Sequence, residues 1–253
     1  MNNNNEKTYC AKCGKQINKT PTAIDKLIIT AIKIAEEIKT DVNAIKERDP
    51  AAASNISVLL LYSGLHAVLM YRLAHALQIR GHKFWARAVS QTARFLTGVE
   101  IHPGATIGKG LFIDHGAGVV IGETAEIGDN CTIYQGATLG GTGKDTGKRH
   151  PTLGNNVMVG AGAKVLGPFK IGDNSKIAAN AVVLEEIPSD STAVGIPAKV
   201  VRRRNIKCVD DQTARIENLD QIHIPDPIAD ELTGLKMKLE ALEDTIKEIE
   251  ERG

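Results

Sequence analysis

The sequence predicts an α+β chain in which an N-terminal α-helical domain leads into a parallel β-helix, followed by a C-terminal helix with a heptad pattern. Three observations carry that prediction. Aliphatic residues recur at every sixth position from Leu153 through Val159, Val165, Ile171 and Ile177 to Val183. Ahead of this run lie segments with apolar residues at helical spacing, and behind it Leu232, Leu235, Leu239, Leu242, Ile246 and Ile249 alternate in steps of three and four.

A period of six fits neither an α-helix at 3.6 nor a strand at 2; it describes one flat side of a prism built from stacked coils. Each aliphatic side chain fills the interior. A small residue four places on, such as Ala163, Ser175 or Ala181, sits where the backbone bends. Glycine and asparagine supply the corner angles. Earlier in the chain Ile101, Ile107, Ile113 and Val119 hold one register, and Ile121, Ile127, Ile133 and Leu139 hold another, offset by two. The winding is therefore interrupted twice, the second time by the polar, glycine-rich stretch Gly140 to Thr152, which reads as a loop thrown out from the prism.

The elements follow in order. Residues 1–19 read as a flexible segment whose Cys10 and Cys13 supply only two of the four ligands a structural zinc needs. The helical domain covers 20–98. Its first helix starts at Thr20-Pro21, carries an apolar face from Ile24 to Ile45 and stops before Asp49-Pro50. A second helix is expected from about Ser57 to Arg80, ended by Gly81, and a third from Lys83 to Thr97, ended by Gly98. The β-helix occupies 99–204, and the tail 205–253 carries a helix over 228–251 that is either a lone surface helix or a self-associating coil.

Composition narrows the function classes. With 42% hydrophobic residues, 253 positions can bury a sizeable core. A net charge of +1 gives no argument for nucleic acid or an anionic membrane as partner. The polar start MNNNNEK and the absence of a run of about 20 apolar residues point to the cytoplasm. Cys131 reads as a core residue and Cys208 as a free thiol in the tail.

Within an aliphatic prism, polar groups at corners stand out. Ile113-Asp114-His115-Gly116 places an acid and an imidazole at a turn, Arg149-His150 closes the protruding loop, and Glu100-Ile101-His102 opens the first coil. His66, His75 and His82 fall on or beside the helices and read as packed or solvated.

The run from Glu100 through Val201, with IDHGAGVVIGET, TLGGTGKDTGKRHP and AVGIPAKVV, resembles serine O-acetyltransferase, a hexapeptide-repeat acyltransferase; Arg48-Asp49-Pro50 and the apolar helices after it extend the resemblance upstream. The resemblance implies a left-handed winding and acetyl transfer from acetyl-CoA, as co-substrate and without a metal, to L-serine. It makes His115 the general base and Glu100 its dyad partner, a need that acyl transfer near pH 7 explains. It sets Asp49 and Asp114 against the substrate ammonium, and Arg149 with His150 against the carboxylate. Gly141, Thr142, Ala161 and Ala179 match contacts to coenzyme A, while Lys176 and Arg202 to Arg204 are candidates for its phosphates. It also implies a homo-oligomer, a trimer or a dimer of trimers, and O-acetylserine sulfhydrylase as a partner. That partner docks on a C-terminal isoleucine in many members; this sequence ends Glu251-Arg252-Gly253, so tail-mediated docking is expected to be weak or absent.

Two other classes are weighed beside it. A prism acyltransferase for a sugar or antibiotic would have no use for Asp49, Asp114 and Arg149 together. A γ-type carbonic anhydrase would need three imidazoles converging on zinc, and His102, His115 and His150 lack that spacing.

Overall fold

The computed structural model describes residues 23–143, 146–203 and 232–242, with side chains from 34 and not those of Arg202 and Arg203. The chain divides after Lys39: the first unit holds the first part of helix α1 (Ala23–Arg48), and the unit from Thr40 holds everything else. Helices α2 (Asn55–Leu61), α3 (Ser63–Ile79) and α4 (Lys83–Thr97) precede the prism. α4 ends on Gly98, whose φ of 73° is open to glycine and closes the last turn through its N–H on the Arg94 carbonyl.

The prism has three parallel sides. Strands β1 (Glu100–Ile101), β4 (Val120–Ile121), β7 (Thr138–Gly140), β10 (Lys164–Leu166) and β13 (Val182–Val183) form one. The second joins β2 (Thr106–Ile107), β5 (Glu126–Ile127), β8 (Thr152–Leu153) and β11 (Lys170–Ile171). The third runs from β3 (Phe112–Asp114) through β6 (Thr132–Tyr134), β9 (Met158–Val159) and β12 (Lys176–Ile177) to β14 (Ser191–Gly195) and β15 (Ala198–Arg203). Register makes the six-residue period physical. Ile101, Ile121, Leu139, Val165 and Val183 stack over one another, and so do Ile113, Ile133, Val159 and Ile177. All are buried, each contributing roughly 1.5–3 kcal/mol of transfer free energy.

Stacking also locates the two interruptions. Ile113 lies under Ile133 and Ile121 under Leu139, yet Ile113 to Ile121 takes eight positions along the chain and Ile133 to Leu139 takes six. The two extra residues are expelled at the corner that carries His115. Likewise Leu139 to Leu153 takes fourteen positions where Ile121 to Ile127 takes six, which places the 140–152 excursion at the next corner. The expected register of Val119 is corrected: its carbonyl receives the Glu100 N–H as those of Ala137, Ala163 and Ala181 receive Val120, Thr138 and Lys164. Val119 thus belongs to the small-residue corner column and not to the interior aliphatic one.

Two further expectations change. The single helix from Ser57 to Arg80 is broken at Tyr62, which is extended (φ −90°, ψ 102°), and α2 and α3 meet at 69°. Close packing forces the break: a Cβ at Gly64 would overlap the Ile113 carbonyl, so α3 starts flat against the prism and cannot continue the line of α2. The end of the prism is also not another coil, because β14 and β15 pair antiparallel and cover the last parallel edge. No single described helix is long and apolar enough to cross a membrane. In the tail, residues 232–242 are helical with Leu232, Leu235, Leu239 and Leu242 exposed; the rest of the expected 228–251 helix, the Thr20-Pro21 cap, Cys10, Cys13, Cys208 and Arg204 lie outside the described residues.

The C-terminal turns of α1 are fastened to the prism by charge. Asp41, fully buried, accepts the Gly110 N–H at 2.9 Å and pairs with Arg72 at 2.7 Å. Arg48 donates to the Cys131 carbonyl (3.0 Å), the Thr132 hydroxyl (3.1 Å) and Asn130 Oδ1 (3.3 Å). Removing one partner of a buried pair strands the other, so Asp41→Ala is expected to lower the unfolding free energy by roughly 3 kcal/mol. Urea denaturation checks this, and a loss below about 0.5 kcal/mol would refute the fastening role.

Candidate active site

The expanded corner places His115 by backbone strain. His115 and Gly116 have φ of 57° and 65°, two left-handed residues in succession. Among the described residues every other side-chain-bearing residue with positive φ is Asn or Asp, the types that tolerate it. An imidazole held at a cost of order 1 kcal/mol or more marks a functional position. The turn is closed by Gly116 N–H on the Asp114 carbonyl (2.7 Å) and Ala117 N–H on that of His115 (2.8 Å). The His115 side chain is 75% exposed, with Nε2 3.9 Å from Asp114 Oδ1.

Asp114 is half-buried beside it. Burial raises its carboxyl above the ordinary value; His115 pulls it back, and the charge of Asp49 raises it again. Asp49 therefore shares this corner. Its Oδ1 accepts the Ala51 N–H at 2.8 Å and its Oδ2 the Tyr62 hydroxyl at 2.6 Å. The Tyr62 phenol is pushed up to about 12, first by that hydrogen bond, then by burial and the charges of Asp49 and Asp114, so it stays a donor.

Arg149 and His150 form a second group at the root of the loop. Thr124 latches them: its hydroxyl oxygen accepts the N–H of Arg149 (3.0 Å) and of His150 (3.1 Å) and gives its own hydrogen to His150 Nδ1 (2.9 Å). Thr124 N–H also donates to Nδ1 at 3.2 Å. With Nδ1 accepting, neutral His150 carries its proton on Nε2. The ring lies where a Cβ of Gly122 would be, which is why that position holds glycine. Lys148 completes the latch on the Thr124 carbonyl (2.7 Å) and Glu126 (3.0 Å).

The guanidinium of Arg149 is bound by Glu123, a partner that the sequence alone does not announce. The ion pair joins residues on two different turns of the prism, so no local spacing announces it. Arg149 holds the Glu123 carboxyl below its ordinary value against some burial. His102 faces the same group; its Nδ1 accepts the Gly104 N–H at 3.0 Å. Burial lowers both His102 and His150, helped by the Arg149 charge and opposed by Glu123.

The structure does not bring Glu100 to His115. Its carboxylate pairs with Arg87 at 3.0 Å and Arg94 at 3.4 Å. Of the coenzyme positions, Ala161 and Ala179 follow Val159 and Ile177 by two, as His115 follows Ile113, so all three occupy one edge of the prism. Gly141 and Thr142 open the loop, and a Cβ at Gly141 would press on the Arg149 backbone. Lys176 lies on β12, on the side of the prism that does not border the corner carrying the loop. His66 and His75 bind the Leu59 and Pro103 carbonyls, each at 2.8 Å.

Two histidines with folded values below 6.5 make stability fall on acidification, because below that pH the unfolded chain takes up protons that the folded chain refuses. The melting temperature is expected to drop between pH 7.5 and 5.5, with a smaller drop for His150→Gln. Equal slopes for both proteins would contradict the burial of a neutral imidazole at 150.

Comparison with known proteins identifies the family. Residues 150–185 match the family model described as bacterial transferase hexapeptide (six repeats), and residues 15–70 match serine acetyltransferase, N-terminal. The chain is 64% identical over 167 residues to a serine acetyltransferase of Helicobacter pylori, covering 66% of this chain and 98% of that one. It is 51% identical over 207 residues to one of Staphylococcus aureus, covering 82% and 93%. Among solved structures, a serine acetyltransferase in complex with cysteine aligns with a TM-score of 0.72 at 38% identity over 79% of this chain and 76% of that one. The Neisseria gonorrhoeae enzyme in complex with serine aligns with a TM-score of 0.66 at 42% identity over 71% and 73%. The prism is the left-handed parallel β-helix of these transferases, and the chain belongs to the serine acetyltransferase family.

Proposed function

We propose that the chain transfers acetyl from acetyl-CoA to the hydroxyl of L-serine, giving O-acetylserine for cysteine synthesis. The observation that carries this reading is the strained corner, where an imidazole stands exposed beside two carboxylates that can receive an ammonium. His115 accepts the proton as the serine oxygen attacks the thioester carbon. The carbon–sulfur bond then breaks, and the coenzyme leaves as a thiol with that proton. We take transfer to be direct: Cys131, the one cysteine among the described residues, is buried and its thiol is pushed up to about 11, too high for an acyl carrier.

Charge sorts the substrate's two ends. Asp49 and Asp114 receive the ammonium, and Arg149 receives the carboxylate, with His150 Nε2–H beside it as a neutral donor. Glu123 holds the guanidinium fork until the substrate carboxylate arrives. Glu100 is assigned to the dyad, which requires it to exchange its pairs with Arg87 and Arg94. Those arginines are about half exposed, so the exchange costs on the order of 1 kcal/mol or less. The pantetheine arm runs along the edge of Ala161 and Ala179 towards His115, with Gly141 and Thr142, at the next corner, as further contacts and Lys176 as a phosphate candidate. We further place the enzyme in the cytoplasm. It is read as a homo-oligomer, trimer or dimer of trimers, for which Phe84, Trp85, Phe95 and Leu96, exposed on α4, offer an apolar surface.

A free-thiol assay with acetyl-CoA and serine, homoserine, a galactoside and an antibiotic tests the activity. Serine is expected to be acetylated; acetylation of the sugar alone would refute the reading. His115→Ala is expected to lower kcat by roughly 10²- to 10⁴-fold, and full activity would remove it from the mechanism. Glu100→Gln should lower kcat and leave the KM for serine unchanged, whereas Asp114→Asn and Arg149→Ala should raise that KM. The reverse pattern would exchange the roles of Glu100 and Asp114.

A further inference from the structure

We propose that Tyr62 is a specificity-determining positioning residue, whose hydroxyl holds the Asp49 carboxylate in the orientation that receives the substrate's ammonium. The inference rests on the reading that Asp49 faces that ammonium.

Four observations support it. First, Tyr62 stands at the one break in an otherwise continuous apolar helical run, at φ −90° and ψ 102°. A helical tyrosine in the same sequence would belong to the line of α2, and the extended conformation is what lets its ring leave that line. Second, the break is locked at both sides. Tyr62 N–H still closes on the Val58 carbonyl at 3.3 Å, and two residues later Gly64 brings α3 against the Ile113 backbone, next to Asp114. Third, Asp49 is anchored from the other direction, because Arg48 before it is bonded to three groups on the turn from Asn130 to Thr132.

Fourth, the carboxylate is only part-used. An ionised carboxylate offers about four lone-pair sites. The Ala51 N–H takes one on Oδ1 and the Tyr62 hydroxyl takes one on Oδ2, at 2.8 and 2.6 Å. Two sites are left for a cation, and the two donors fix where they point. The phenol remains protonated near neutrality and carries no charge, so it orients Asp49 without neutralising it. Without the hydroxyl, only the Asx turn to Ala51 would orient the side chain, and an ammonium would have to order it on binding.

The test uses the full-length protein and a double-mutant cycle. Tyr62→Phe keeps the ring and the helix break and removes only the donor. It is expected to raise the KM for L-serine roughly 10-fold, the value of a hydrogen bond to a charged group at a partly exposed site. The kcat, the KM for acetyl-CoA and the melting temperature should stay within twofold or 2 °C of the parent, as a structural role would not allow. The inhibition constant of 3-hydroxypropanoate, which lacks the ammonium, should not change. In an Asp49→Asn background, Tyr62→Phe should add little further loss. Full additivity, or an unchanged KM for Tyr62→Phe where Asp49→Asn raises it, would overturn the proposal for Tyr62 alone. An unchanged KM for Asp49→Asn would overturn the reading of Asp49, and the proposal with it.

Discussion

A coil of this prism continues only if each interior side chain falls over its counterpart in the coil before and each backbone group finds its partner there. Ile121 on Ile101 and Ile133 on Ile113 meet both conditions at once. Burial and hydrogen bonding therefore enforce the same register, and a coil with surplus residues cannot absorb them along a side. It expels them at a corner. Both places where that happens are chemical. The two-residue surplus puts His115 into a left-handed conformation facing outward, and the longer surplus is folded back so that Arg149 and His150 rest on the coil at Glu123 and Thr124.

The helices serve the same end from outside the prism. Asp41 and Arg48 fasten the last turns of α1, which delivers Asp49 beside Asp114. Gly64 then lets α3 lie on the backbone of Ile113, and the turn between α2 and α3 supplies Tyr62. The candidate substrate pocket is thus assembled from the end of α1, the turn between α2 and α3, and the distant His115 corner. The end of α1 is held to the winding by polar contacts and α3 by the close approach of Gly64 to Ile113, neither by the substrate itself, which is the preorganisation a transferase needs if binding is to favour the transition state.

The sequence disclosed whatever follows from periodicity. Six-residue spacing identified the prism, its phases and both interruptions, and the glycine after Thr97 marked the end of α4 correctly. Val119 went into the wrong column because a valine satisfies both the interior pattern and a corner; only the stacking of coils distinguishes them. The break at Tyr62 was invisible for a related reason. Apolar residues continue at helical spacing through it, and the force that bends the chain is the approach of Gly64 to a backbone some fifty residues away. Glu123 and Thr124 escaped notice because their partners lie one coil on, and Glu100 was expected beside His115 where the isolated chain pairs it with arginines.

The central claim is that the two interruptions of the winding together make one serine site. A crystal structure of the assembled protein with L-serine bound tests it most directly. The account predicts the serine hydroxyl within about 3 Å of His115, its ammonium between Asp49 and Asp114, and its carboxylate on Arg149 in place of Glu123. Serine bound away from the His115 corner, or with Glu123 still on Arg149 and the carboxylate elsewhere, would contradict it.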